Sequence, residues 1–158
     1  MSICSFFGHR SVGAEIRPGL YAEIERHIIE KSSDTFYVGG YGQFDNMTAG
    51  ILCNMKERYP HIAVYHVLAY LPTGANAENH EKQHPTLYPE GLELVPKKFA
   101  IAHRNRWLVA QSDCIIAYVR ASWGGAYEAL KYAKQQGKDI INLAELSKRR
   151  KENETNSK

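Results

Sequence analysis

Two pairs of adjacent glycines, Gly39-Gly40 and Gly124-Gly125, could do chemistry at the backbone. Each follows a β-prone apolar run and precedes a stretch with helical spacing. Glycine in such a turn lets backbone N–H groups approach an anion closely, and the start of the next helix adds a favourable dipole. Either pair alone is explained by a turn. Two at corresponding places argue for one phosphate-binding edge. Neither fits a Walker P-loop, which ends in Gly-Lys-Ser/Thr, nor the spaced GxGxxG of dinucleotide folds. The basic residues near this edge are His9, Arg10, Arg104, Arg106 and Arg120. Arg10 directly follows the first apolar run and could meet a phosphate with both guanidinium arms.

Two carboxylates are candidates for acid–base or covalent work. Asp45 falls near the start of a helix, where it could also be an N-cap. Glu128 falls three residues after Gly125, in the first turn of another helix, where a negative charge is favourable in any case. Facing a bound nucleotide, Glu128 could hydrogen-bond sugar hydroxyls. It could also stabilise an oxocarbenium-like transition state, as an electrostatic partner or a nucleophile. Asn105 lies on the apolar seam of its helix, so its amide needs a structural or a ligand partner. Phe7, Tyr41, Phe44, Tyr70, Trp107 and Trp123 surround these loops, and one or two of them could stack on a base. The seven histidines form no metal pattern: His80 and His84 are four apart, with no third ligand in view. Cys4, Cys53 and Cys114 are odd in number and lack CxxC spacing. Neither a disulfide framework nor a zinc knuckle is expected. No metal and no cofactor are expected.

The elements that must position these residues alternate. Ile3 to Phe7 reads as a strand. Ile16, Leu20, Ile24 and Ile28 mark one helical stripe, with Pro18 in its first turn. Thr35 to Val38 is a second strand. Met47, Ile51, Met55 and Tyr59 form a second helix that Pro60 ends, and Ile62 to Leu68 is a third strand. The stretch from Pro72 to Pro96 carries four prolines and little periodicity, as binding loops or lids do. A helix over Lys98 to Gln111, a strand over Cys114 to Val119, a helix on Ala126, Ala129, Leu130 and Ala133, and a strand over Asp139 to Leu143 complete the order. Gly137 suits the stop of that last helix. The expected fold class is α/β: a single Rossmann-like doubly wound domain with a mostly parallel sheet of about five strands. Such sheets bind ligands beyond the carboxyl ends of their strands, where the three candidate loops all fall.

The 158 residues suffice for one domain with a real core, and 44% of them are hydrophobic. Residues 1–146 are expected to form that domain, with 147–158 as a polar, disordered tail. The net charge is +3. The stretch 148–158 holds five bases and two acids, which leaves the body neutral at fifteen of each. On that balance there is no strong case for nucleic acid as a partner. No apolar run approaches the roughly 20 residues of a membrane span. The N-terminal apolar run is too short for a signal peptide and has no basic lead. A cytoplasmic protein without a membrane partner is expected.

Several blocks together resemble the SLOG superfamily of Rossmann-like nucleotide-ligand proteins, which includes Smf/DprA and the LOG proteins, and within it the small YpsA-like branch. They are Phe7-Gly8-His9-Arg10, the run from Phe36 through Gly39-Gly40-Tyr41-Gly42-Gln43-Phe44-Asp45, Ile101 through Arg106-Trp107, Trp123-Gly124-Gly125-Ala126-Tyr127 and Ile140-Ile141-Asn142-Leu143. The resemblance spans residues 3–143. It implies a pocket for a nucleotide or nucleotide-derived small molecule, bound or sensed at the sheet edge. The pocket residues it implies are Gly8, Arg10, Gly39, Gly40, Asp45, Arg104, Asn105, Gly124 and Gly125; His9, Phe44 and Trp123, neighbours in the same loops, are expected to bind the ligand with them. The alternative is an N-glycosidic hydrolase or transferase acting on a nucleotide, with Glu128 as catalytic carboxylate and Asp45 as acid–base partner. LOG phosphoribohydrolases carry Pro-Gly-Gly-x-Gly-Thr-x-x-Glu. This chain has Trp123-Gly124-Gly125-Ala126-Tyr127-Glu128 instead, without the proline, the third glycine or the threonine. The segment from Gly125 to Lys138 is also similar to the glutamate-bearing helix of nucleoside deoxyribosyltransferases. Because LOG relatives pair, a homo-oligomer is compatible with the resemblance.

Overall fold

A computed structural model describes residues 1–71 and 84–146, and Asn153 beyond them. Among the described residues six strands are present: β1 (Ile3–Gly8), β2 (Thr35–Val38), β3 (Ala63–Val67), β4 (Thr86–Leu87), β5 (Cys114–Tyr118) and β6 (Asp139–Asn142). They form one sheet in the order β4-β3-β2-β1-β5-β6, and every pairing is parallel. The Rossmann-like α/β expectation therefore holds, with one strand more than expected. The extra strand is β4, a two-residue edge strand inside the proline-rich stretch. It pairs His66 with Thr86 and Val67 with Leu87. Residues 72–83 of that stretch lie outside the described residues, as does His80. The expected tail lies outside them too, apart from Asn153.

Among the described residues the main helices on the sheet are α1 (Arg17–Glu30), α2 (Gln43–Arg58), α3 (Ala100–Gln111) and α4 (Gly125–Gln135). Side chains alternate across β1, as the pleat requires. Cys4 and Phe6 face the core that α1 and α2 close with Leu20, Ile24, Ile51, Leu52 and Met55. Ile3 and Phe7 face the core that α3 and α4 close with Leu108, Val109, Ala129, Leu130 and Ala133. Burial on both faces explains why β1 and β5 read as unbroken apolar runs. Each fully buried Leu or Ile contributes about 1.5–3 kcal/mol relative to exposure.

Local chemistry sets the helix ends. Pro18 sits in the first turn of α1, where its missing N–H is not needed. At the end of α4, Gly137 adopts φ 69°. Its N–H bonds the Lys134 carbonyl while Lys138 N–H bonds that of Ala133, a Schellman stop. Among the described residues, no helix is long and apolar enough to cross a membrane.

Candidate functional site

From β1 the chain builds β2, β3 and β4 outward on one side, then crosses back to place β5 on the other side. The carboxyl ends of β1 and β5 thus flank the topological switch point, the crevice where such sheets bind ligands. A cleft of about 660 Å³ opens there. That volume falls within the usual range for small-molecule sites.

Three loops and one side of α3 make its walls. The loop after β1 supplies Gly8, His9, Arg10 and Ser11; the loop after β2 supplies Gly39, Tyr41 and, from α2, Asp45. α3 supplies Ile101, Arg104, Asn105 and Leu108, and the loop after β5 supplies Arg120, Ala121, Trp123, Gly124, Gly125 and Ala126. Of the residues expected at the site, Gly8, His9, Arg10, Gly39, Asp45, Arg104, Asn105, Trp123, Gly124 and Gly125 come together in this lining. Gly40, Phe44 and Glu128 are not in it.

The position of Phe44 explains Gly8. The Phe44 ring is fully buried, and a Cβ on Gly8 would stand 2.2 Å from it. Phe44 is therefore a core residue that occupies the space a side chain at position 8 would need.

His9 ties the two sides of the crevice together. Its Nε2 accepts the N–H of Arg120 at 2.8 Å and the N–H of Ala121 at 3.4 Å. The proton of the neutral ring is then on Nδ1. Burial, with the Arg120 charge beside it, holds His9 below the usual histidine value. On the outer side, Asn142 closes round Val119. It accepts the Val119 N–H on Oδ1 at 3.1 Å and donates Nδ2–H to the Val119 carbonyl at 3.0 Å. This side chain continues the β5–β6 ladder by one rung and fixes where the Arg120 loop leaves the sheet.

The turn after β2 is closed by its own residues. The Asp45 carboxylate accepts the Tyr41 N–H at 3.0 Å, reaching back from the first turn of α2. Gln43 N–H bonds the Arg10 carbonyl at 2.8 Å, and the Val12 N–H bonds Gln43 Oε1 at 2.9 Å. Arg104, only 5% exposed, lies behind this turn. It donates to the Val67 carbonyl at 3.1 Å and to Asn105 Oδ1 at 3.0 Å, and its guanidinium sits 5.3 Å from the centre of the Tyr41 ring. Burial pulls Arg104 below its ordinary value, and the attraction of Asp45 opposes this. Arg104 and Asn105 are thus a structural pair whose polar edge borders the cleft. Arg106 is exposed and lies over Tyr132, 5.5 Å from the ring centre, away from the cleft.

The turn after β5 is open. Gly124 is the N-cap of α4 with φ 96°, and no side chain caps the helix. A Cβ on Gly124 or Gly125 would meet nothing within 4 Å. The start of α4, whose first N–H groups have no partner within the helix, lines a cleft that is also bordered by Arg10 and Arg120, both exposed. Neither arginine forms an ion pair among the described residues. Trp123 is 76% exposed at the rim. Free helix-start N–H donors, a helix dipole and guanidinium groups are the features by which proteins bind anions.

The carboxylates are placed differently from the expected acid–base pair. Glu128 is exposed outside the lining, because the phase that buries Ala129, Leu130 and Ala133 turns it to solvent. Asp45 borders the cleft, but it is engaged with Tyr41 and faces the charge of Arg104. Arg120 and Tyr41 were legible as neighbours of the loops. The clamping roles of Gln43 and Asn142 were not, since they depend on backbone partners far away in the chain.

No known family model matches the chain, and no curated protein matches it in sequence. Solved structures do match in fold, among them two of DNA processing protein A. DNA processing protein A from Streptococcus pneumoniae superposes with a TM-score of 0.66 at 14% identity, over 88% of this chain and 49% of that one. DNA processing protein A from Helicobacter pylori, described for its single-stranded DNA binding mode, superposes with a TM-score of 0.63 at 16% identity, over 88% of this chain and 63% of that one. The chain thus spans about half to two thirds of the length of these neighbours. They correct the expectation that there is no strong case for nucleic acid, since both are DNA processing proteins and one is a single-stranded DNA binder. That expectation rested on the neutral body. A whole-body sum of charge hides the concentration of arginines at one edge of the sheet. The chain carries a Rossmann-like α/β fold that it shares with DNA processing protein A.

Proposed function

We propose that the cleft binds the phosphate of a nucleotide unit, with little or no turnover. The observation that carries this is the uncapped N-terminus of α4, opening between Arg10 and Arg120 at the switch point of the sheet. In this reading the phosphate lies on the N–H groups of Gly125 and Ala126, and the two arginines close over it. Trp123 and Tyr41 offer flat faces to a base. Binding is favoured over N-glycosidic cleavage because Glu128 lies outside the lining and Asp45 is held by its own turn.

The test is incubation with nucleoside monophosphates, deoxynucleotides, NAD and ADP-ribose, followed by mass spectrometry of the protein and solution fractions. An intact nucleotide retained by the protein, and lost in Arg10→Ala, is the expected result. Free base released by the protein but not by Glu128→Gln would overturn it in favour of the hydrolase.

A second reading is favoured by the fold neighbours: the nucleotide unit belongs to a single DNA strand. A labelled oligothymidine would then bind with strong salt dependence, and a mononucleotide that fits the cleft would displace it. Failure of the oligonucleotide to bind in low salt would leave the free nucleotide as the ligand.

A further inference from the structure

At the opposite end of the sheet from the cleft, three side chains converge. Cys4 and Cys114 are direct register partners across β1 and β5, and both face the core beneath α1. His27 of α1 comes down between them. The two thiol sulfurs and an imidazole nitrogen lie within 4.8 Å of one another, and all three residues are buried. The spacing of the cysteines along the chain gave no sign of this, because the strand register alone joins residues 110 positions apart.

The orientation of His27 is fixed from behind. Its Nδ1–H is directed at the Glu23 carbonyl, 2.9 Å away, with Glu23 Oε1 at 3.3 Å. Glu23 is in turn held by Arg26. That arrangement leaves Nε2 as the lone-pair nitrogen. It is fully buried, and among the described residues it is the one buried side-chain nitrogen or oxygen without a hydrogen bond of ordinary geometry; the group it interacts with is the Cys114 thiol. Buried polar groups are nearly always satisfied, and here the partner on offer is sulfur. A histidine that gives its outer N–H to a carbonyl or carboxylate while its other nitrogen faces two sulfurs has the arrangement of a metal ligand. The hydrogen bonds of the thiols to oxygen are long: Cys4 reaches the Ser5 carbonyl at 3.9 Å, and Cys114 the Ile3 carbonyl and the Ser33 hydroxyl at 3.8 Å each. The two thiols also interact with each other, and Cys114 with His27.

We propose that Cys4, His27 and Cys114 bind a thiophilic d10 cation, zinc in the first place, as a clip joining β1, β5 and α1. Two thiolates and one imidazole are a soft nitrogen–sulfur donor set. Binding releases two thiol protons to solvent, and the two negative sulfurs balance the dication, so the apolar core holds no net charge. The Ser33 hydroxyl lies 3.8 Å from Cys114 Sγ, on hand for a fourth position.

The test uses the full chain, stripped with chelator under reducing conditions and titrated with cobalt(II), then zinc(II). One equivalent of cobalt should give a thiolate-to-cobalt charge-transfer band. One equivalent of zinc should remove that band and raise the melting temperature. Cys53→Ser should leave the band intact. Cys4→Ser and Cys114→Ser should abolish it. Should those variants fold poorly, Glu23→Gln keeps all three ligands and should weaken cobalt binding roughly 10–100-fold. A folded wild-type protein with no band would overturn the proposal. So would a band that survives His27→Gln, or an oxidised Cys4–Cys114 pair that no reductant opens in the native state.

Discussion

The two glycine turns look alike in the sequence and differ in the folded chain. A Cβ on Gly39 would stand 2.8 Å from Asp45 Oδ2 and 3.2 Å from an Arg104 nitrogen, and one on Gly42 would stand 2.7 Å from the Arg10 backbone. The first turn needs glycine because the protein itself fills the space. Around Gly124 and Gly125 the protein fills nothing. Gly124 needs its left-handed conformation, φ 96°, but Gly125 has no such demand. A glycine that the fold does not require is the better pointer to a ligand. Of the two, only the second turn leaves open space at a helix start.

Substitutions can break or sharpen this contrast. The largest effect is expected at the closed turn. Asp45→Ala removes the acceptor of Tyr41 N–H and the charge that offsets buried Arg104. A loss of about 3 kcal/mol of stability is expected in urea unfolding. Gly39→Ala forces Asp45 or Arg104 to move and should cost about 1–3 kcal/mol. Arg10→Ala should leave stability nearly unchanged and weaken nucleotide binding about tenfold, since a charge-assisted hydrogen bond is worth about 1.5–3 kcal/mol. Calorimetry in low salt measures it. Gly125→Ala should change stability by less than about 0.5 kcal/mol while it still impairs ligand binding. Equal destabilisation by Gly125→Ala and Gly39→Ala would erase the distinction between the turns.

The smallest effect is a pH dependence. Since the folded-state pKa of His9 lies below its unfolded value, its neutral form is favoured in the fold. The stability from its bonds to Arg120 and Ala121 is then present above the ordinary histidine value near 6.5. It is lost as the pH falls from there through the lowered pKa. NMR titration of the His9 ring should give a midpoint below the ordinary histidine value near 6.5. A midpoint above 6.5 would mean that Nε2 does not accept these bonds in solution.

Much of the fold was legible because its signals are local. Pro18 and Gly137 mark helix ends, and the double burial of β1 and β5 makes their apolar runs continuous. Strand β4 was not legible, since two residues carry no period. The candidate site was legible as three loops on one edge. What lay beyond the sequence was the distinction between lining and support. Phe44 and Gly40 share a motif with Gly39, yet only Gly39 borders the cleft. Arg104 follows the helical seam into the interior while Arg106, two residues on, reaches solvent. The Cys4–His27–Cys114 cluster was invisible for a different reason. Metal spacing is read along the chain, and these residues meet across strand register and an intervening helix.

The contact of Gly8 with Phe44 also constrains how this sequence can drift. The Phe44 ring fills the volume a side chain at position 8 would take, so neither residue can change size alone. A larger residue at 8 becomes admissible only after a smaller one has appeared at 44, and the reverse order passes through an overfilled core. The pair behaves as one inherited unit shared between the first strand and the second helix. In any set of diverged relatives, the sizes at these two positions should vary in opposite directions.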